Sequence, residues 1–471
     1  MRRDGLLTSL VIASWLLTAW NRSLWGDELH ALHHARIEGL SAFLDAVRSD
    51  NHPPLAFLFL RWSIALFGEG HLALRLPGLI AALLFTRLVI RFARRLPDPA
   101  SRAWGPWLVV LSSYRLVVFT EARMYGWLAL CVLGLLEALV AALEDERPPW
   151  RAAPWVAIGL HTHYYFFNYL FVLGLWVLAV AWAVPEKRAQ ARRLLASGAL
   201  GATLFLPWLA FGFLHQLGHG LPAGTNYDSP LMWLQSIAHL LYMNASLGGE
   251  WVTLYVALPG AIAAAILALC GLGRFRGAGS KRVQTALSSA GIGVPLWAFL
   301  LASVIPRHSY NWPYISGSCA PVLFLVAAGA GSRPRLLRNA LLAVLVATLS
   351  LVTLVNATSR GQEDFRGCVE FILAHARAGD AVVTRAVWDQ DPAGSPTGWR
   401  YYLDRIDPAP GSVVPQEYRL PDFGGALRHD RVWIFIRRRW NRAALESLQA
   451  AYPNEARYPI GAVMSVRLFW R

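Results

Sequence analysis

Charge is scarce in this chain, and lysine is almost absent. Charged residues make up 15% of its 471 positions, against roughly 25% in soluble globular domains, which excludes an ordinary water-exposed globule. Four cysteines are present, with no Cys-x-x-Cys pair among them. Cys131, Cys270 and Cys319 sit in apolar segments and Cys368 stands alone in a polar one. They read as small buried hydrophobes, which excludes a disulfide framework or a cysteine metal knuckle. The sequence also lacks a glycine-rich phosphate loop followed by Lys-Ser/Thr and lacks a dinucleotide fingerprint, so a soluble nucleotide donor is not suggested. No internal repeat or low-complexity segment is visible. The first apolar run has no convincing small-residue cleavage site and is followed by further runs, so it reads as a span and not as a removable signal peptide.

What the chain has is hydrophobic length. Apolar residues make up 55% of it, in runs of about 15–20 residues that recur from Leu6 to Val355, the pattern of a polytopic helical membrane protein. The formal charge of +15 raises the possibility of a nucleic-acid surface. Its distribution argues against one: residues 1–359 hold 28 Lys+Arg against 16 Asp+Glu, and residues 360–471 hold 16 against 13. The excess sits in short loops between apolar runs, which is the positive-inside pattern.

Those loops set a topology. Segments 91–102, 185–193, 273–282 and 333–338 are arginine-rich and are expected on the cytoplasmic side. Residues 55–67 are apolar, but 13 residues reach only about 20 Å as a helix, short of a roughly 30 Å hydrocarbon core. They are therefore expected to be a juxtamembrane or re-entrant helix within an outer loop, 21–71. The expected spans are 5–20, 72–92, 103–119, 126–143, 152–163, 166–184, 194–214, 252–272, 283–304, 312–331 and 339–356. The fold class is thus an α-helical polytopic membrane protein of about eleven transmembrane helices over residues 1–359. A small extracytoplasmic α/β domain is expected over 360–471, with helices near 364–376 and 441–451 and strands near 381–386, 431–436 and 463–470.

This topology collects polar groups on one side: Asp27, Glu28, His30, Asp50, His52, Glu121, Arg123, Tyr125, His161, His163, Arg307 and Tyr310. Charges near membrane depth are costly and mark function. Each also has a plain reading. Asp27 and Glu28 suit a helix N-terminus, His52 precedes a Pro-Pro helix start, and Arg123 and Tyr125 suit the membrane interface. A carboxylate at this depth can act as general base on a hydroxyl, while Arg and His can neutralise a phosphate. A lipid-linked phosphosugar would present its phosphate here.

At these residues the chain resembles the C-type (GT-C) glycosyltransferases, in their protein O-mannosyltransferase and aminoarabinose-transferase branch. The similarity is carried by Trp25-Gly26-Asp27-Glu28, by Asp50-Asn51-His52-Pro53-Pro54-Leu55, by Phe67-Gly68 and by Leu74-Arg75-Leu76-Pro77. Glu121 to Tyr125, His161 to Tyr164 and Pro306 to Tyr310 resemble later motifs, and the likeness covers roughly residues 5–330. It implies a polyprenyl-phosphate sugar donor, an extracytoplasmic glycan, lipid or protein acceptor, inverting transfer, and a multi-pass home in a bacterial inner membrane with site and C-terminal domain outside. It places the catalytic acid at Asp27 with Glu28 beside it, and suggests donor or phosphate contacts from His30, His52, Glu121, Arg123, Tyr125, His163, Arg307 and Tyr310. His52 and His30 stand where the aminoarabinose branch carries Lys and Arg, and Arg307 and Tyr310 are separated where relatives have them adjacent. No cofactor is required by this reading. A divalent metal is the further possibility, held by His161 and His163 together with the carboxylates, although the ligand spacing is not distinctive. A transporter or lipid flippase using the same charges is the alternative, although inverted repeats and broken midplane helices are not evident in the sequence.

Overall fold

The computed structural model describes residues 2–145, 147–219, 237–241, 250–305, 310–332, 334–361, 363–384, 398–407, 412–420, 423–437, 442–460 and 464–471. The chain divides into two compact units. One comprises Met1–Ala19 and Ile37–Ala357; the other comprises Trp20–Arg36 and Thr358–Arg471. The break in the apolar part falls close to the 359/360 boundary read from the sequence. Residues 20–36, however, group with the C-terminal residues, which a linear division does not anticipate.

The first unit is helical. Helices α1 (Arg2–Asn21, its last two residues in the second unit), α3 (Leu40–Arg48), α4 (Leu55–Phe67), α5 (His71–Ala93), α6 (Pro99–Val110), α7 (Ser113–Thr120) and α8 (Tyr125–Asp145) open the chain, with α2 (Gly26–Arg36) belonging to the second unit. Then come α9 (Ala152–Thr162), α10 (Phe166–Ala183), α11 (Arg188–Thr203), α12 (Leu206–Trp208) and α13 (Leu214–His219). They are followed by α14 (Glu250–Leu272), α15 (Ala278–Ser288), α16 (Val294–Val304), α17 (Cys319–Ala328) and α18 (Arg335–Thr358). The expected outer helix at 55–67 is α4, ended by Gly68 at φ 76°, a left-handed position that favours glycine.

Among the described residues six helices are long and apolar enough to cross a membrane, or seven if the pair bent by 48° after Thr203 is one span. The protein is a multi-pass membrane protein, but eleven continuous spans are not established. Part of the difference has a local cause. The run at 103–119 is two helices, because Ser112 leaves the helix and its hydroxyl caps α7. The run at 194–214 contains a π turn at Leu209–Phe213 and belongs to the bent pair, and α9 has only 11 residues; the π turn at Ser289–Gly293 leaves Ala278–Val304 long and apolar enough to cross.

Helix α8 is the centre of this unit: 94% of its apolar window is buried, against 33% for α18. Its one interior carboxylate, Glu137, is held by Arg91 at 2.7 Å and by Arg95 at 2.8 Å. A buried charge so paired avoids the large penalty of an isolated one. Arg95 also binds Asp145 at 2.7 Å.

The second unit contains a five-stranded sheet. Its strands are β1 (Ala381–Thr384), β2 (Gln416–Arg419), β3 (Arg431–Arg437), β4 (Asn454–Ile460) and β5 (Met464–Trp470), in the order β2-β1-β3-β5-β4. β1 is parallel to β2 and β3; β5 is antiparallel to β3 and β4. Its core joins Val383, Val432, Ile434 and Phe469 to Leu448 of the last helix. The two expected helices occur as α19 (Phe365–His375) and α21 (Arg442–Ala451), with the short α20 (Gly398–Leu403) between them. Strands β2 and β4 were not expected.

Candidate functional site

In the first unit the fold brings together residues from segments far apart in sequence. His52 lies in the turn before α4, and its Nδ1 is 3.4 Å from Asp50 Oδ2 with both side chains buried. The His52 ring meets the His163 ring edge-on at 5.4 Å. His163 is the residue that ends α9, and it packs in turn on Tyr314 at 4.9 Å and Tyr125 at 5.9 Å. The Arg123 guanidinium lies 5.9 Å from the Tyr125 ring, and both residues are buried. Glu121 and Arg123 belong to the turn between α7 and α8. With Trp127 they line a small cleft against Ala56 and Leu60 of α4 and Pro77 and Gly78 of α5.

The 47–52 segment is fixed from a third direction. Gln216 donates to the carbonyls of Val47 at 2.8 Å and His52 at 3.4 Å. Its own carbonyl accepts the Tyr164 hydroxyl, which in turn accepts Trp208 Nε1–H at 2.9 Å. Gln216 and Tyr314 were not singled out in the sequence, and Tyr164 entered only as the end of the His161 to Tyr164 motif. The signal for Gln216 is an amide in the apolar stretch from Leu206 to Leu217; nothing local marks Tyr314.

His163 has a distinctive hydrogen-bonding state. Its Nδ1 accepts the backbone N–H of Tyr165 at 3.0 Å, so the proton of the neutral ring sits on Nε2. That Nε2 is buried and has no partner among the described residues. Unpaired buried donors are rare and call for an explanation.

Other candidates fall elsewhere. Tyr310 is buried against Phe299 at 5.8 Å, and Arg307 lies outside the described residues. His161 and His163, the pair considered for a metal, both turn Nδ1 to the backbone: His161 Nδ1 is 2.9 Å from its helix's Ala157 carbonyl.

Asp27, Glu28 and His30 lie in the second unit, on α2. Two independent contacts hold the start of this helix. Glu28 accepts the Trp25 N–H at 3.2 Å, as the acid of a capping box does, and Glu363 accepts the Gly26 N–H at 2.9 Å. Just before it, the Tyr402 hydroxyl accepts the Leu24 N–H at 2.6 Å, and the Ser23 N–H donates to the Arg360 carbonyl at 2.9 Å. Glu28 is buried, while Asp27 and His30 are partly exposed. The acid pair therefore divides: Glu28 caps the helix, and Asp27 keeps access to solvent.

Residues 51–211 match the family model of the dolichyl-phosphate-mannose-protein mannosyltransferases. No curated protein matches the sequence. Among solved structures, the chain is similar to ArnT from Cupriavidus metallidurans bound to undecaprenyl phosphate, with a TM-score of 0.59 at 15% identity over 98% of this chain and 97% of that one. The apo form of the same protein gives a TM-score of 0.55 at 14% identity, again over 98% and 97% of the two chains. The chain thus has the ArnT fold over nearly its whole length, and its residues 51–211 match the mannosyltransferase-family model.

Proposed function

We propose that this protein transfers a sugar from a polyprenyl-phosphate donor to a hydroxyl of an extracytoplasmic glycan, lipid or protein, with inversion, at the outer face of a bacterial inner membrane. The observation that carries the reading is the buried Nε2–H of His163, unpartnered among the described residues, beside His52 and Arg123. A phosphate oxygen would satisfy it, and Arg123 adds the charge that a leaving phosphate needs. The ArnT fold supports a donor of the same class, since ArnT binds undecaprenyl phosphate.

In this mechanism Asp27 takes the proton of the acceptor hydroxyl, and the oxygen attacks the anomeric carbon from the side away from phosphate. The carbon–oxygen bond to phosphate breaks, and the departing polyprenyl phosphate keeps the electron pair. Arg123, His163 and His52 hold that phosphate, with Arg307, Tyr125, Tyr310, Glu121 and His30 as further donor contacts. Glu28 keeps α2 in register.

The test is transfer from a synthetic polyprenyl-phosphate sugar by the purified protein, followed by release of polyprenyl phosphate. Hydrogen bonds to charged groups are worth about 1.5–3 kcal/mol, so Arg123→Gln is expected to weaken donor use by roughly 10- to 150-fold, mainly in KM. Unaltered donor dependence would remove Arg123 from the phosphate site.

A further inference from the structure

Helix α5 has the 121–125 turn packed near its start, and at its other end lies a much larger opening. Sixteen residues lead from Gly78 beside the turn to Arg94 at the opening, about 24 Å of helix. The opening is a cleft of about 640 Å³, within the range of roughly 300–1,000 Å³ for small-ligand sites. Nothing in the proposed transfer uses it.

Its walls are basic. Arg94, Arg95 and Arg102 come from the connection between α5 and α6, and Arg274 and Arg276 from the connection between α14 and α15. Only Glu144 and Asp145, at the end of α8, oppose them. Both acids are already engaged: Glu144 grips Arg282 through two contacts, and Asp145 binds Arg95. The side chains of Arg94 and Arg276 have no hydrogen bond or ion pair among the described residues. Arg274 Nε has no hydrogen bond among the described residues and forms an ion pair with Asp98 at 3.7 Å. The start of α15 also lines the cleft through Gly279 and Ser280, where the Glu144 carboxylate stands beside Gly279. The two free guanidiniums, Arg94 and Arg276, suit a phosphate.

The approach to the cleft is apolar. Leu258, Ile262, Leu269 and Leu272 of α14 are exposed, from 39% for Leu272 to 70% for Leu269. At 3.6 residues per turn they form one stripe, which runs down to Arg274 and Arg276. A soluble phosphate would use only the basic end of this surface, whereas a phospholipid would use both. Basic clefts between membrane helices on the cytoplasmic side are suited to anionic head groups, and loops 91–102 and 273–282 are those that the arginine distribution assigns to that side.

We propose that this cleft binds the phosphate head of an anionic phospholipid of the inner leaflet, its acyl chains lying along α14. The test uses purified full-length protein in neutral detergent, with lipid adducts counted by native mass spectrometry. The probes are short-chain phosphatidylglycerol, phosphatidylcholine of equal chain length, and glycerophosphoglycerol, which is the same head without tails. Phosphatidylglycerol should bind the wild type at least tenfold more tightly than phosphatidylcholine does, and at least tenfold more tightly than it binds the double variant Arg94→Gln/Arg276→Gln. The variant's sugar-transfer rate, unchanged, reports an intact fold; if the double variant does not purify, Arg276→Gln alone carries the comparison. Equal phosphatidylglycerol binding by variant and wild type would overturn the site. Equally tight binding of glycerophosphoglycerol would overturn the lipid and leave a soluble phosphate as its ligand.

Discussion

Asp27→Asn is expected to lower sugar transfer by about 10²- to 10⁴-fold, the usual worth of a positioned general base, while the protein folds and binds donor normally. The substitution is nearly isosteric, and asparagine is also favoured near helix starts. Two other contacts hold the start of α2: Glu28 accepts the Trp25 N–H and Glu363 accepts the Gly26 N–H. Structure and chemistry therefore separate at neighbouring residues. Glu28→Gln should cost stability, about 0.5–2 kcal/mol as for a lost cap, with a much smaller effect on rate. Single-turnover transfer and the thermal midpoint, measured on both variants, give the answer. If Asp27→Asn turns over like wild type, or if Glu28→Gln is the dead variant, the base is not Asp27.

The reasons some features were legible and others were not are local. Arginine counts and apolar run lengths marked α4 as a helix too short to cross, because length in residues converts directly to length in ångströms. The same runs hid their interruptions. Leu111-Ser112 is apolar enough on average to pass as mid-span, yet the serine hydroxyl can cap the next helix, and it does. In the second unit β1, β3 and β5 are buried and apolar, and they were expected. β4, Asn454–Ile460, is half exposed and contains Pro459, which suits an edge strand and little else. It lies at the sheet edge. β2 has four residues with little apolar character. At the candidate site the charged and imidazole side chains were visible as unusual residues in their loops. Their supports were not: Gln216 and Tyr314 act through contacts made across long sequence separations, which no local pattern encodes. The union of residues 20–36 with the C-terminal residues is of the same kind, made by Ser23, Gly26, Arg360, Glu363 and Tyr402.

Gly78→Val is expected to be strongly damaging to the helical unit, because of where a Cβ would go. An added Cβ at Gly78 would lie 2.2 Å from the Phe119 carbonyl oxygen and 3.2 Å from its carbon. That neighbour is backbone and has no rotamer to change. Phe119 is tied down as well: its carbonyl accepts Trp15 Nε1–H at 3.1 Å, and its ring packs on Phe85 at 4.9 Å. On its other side, a Cβ on Gly126 would meet the same ring at 2.7 Å. The end of α7 is thus wedged between two glycines, one on α5 and one on α8. That wedge sets how deeply the 121–125 turn sits, and so where Glu121 and Arg123 stand in their cleft. Overpacking of a tight interior typically costs 1–3 kcal/mol, and a clash with backbone on both the β-carbon and its branches should exceed about 3 kcal/mol. The matched control is Gly174→Ala on α10, where a Cβ meets nothing within 4 Å; there the change should stabilise by up to about 1 kcal/mol through helix propensity. Thermal midpoints and yield of monodisperse protein in detergent should move in opposite directions for the two variants. The milder Gly78→Ala, if it can be purified, should raise the donor KM more than it lowers kcat, because it displaces the turn proposed to hold the phosphate and not the proposed base. Equal stability of Gly78→Val and wild type would mean that α5 and α7 are not in the close contact on which the placement of Arg123 rests.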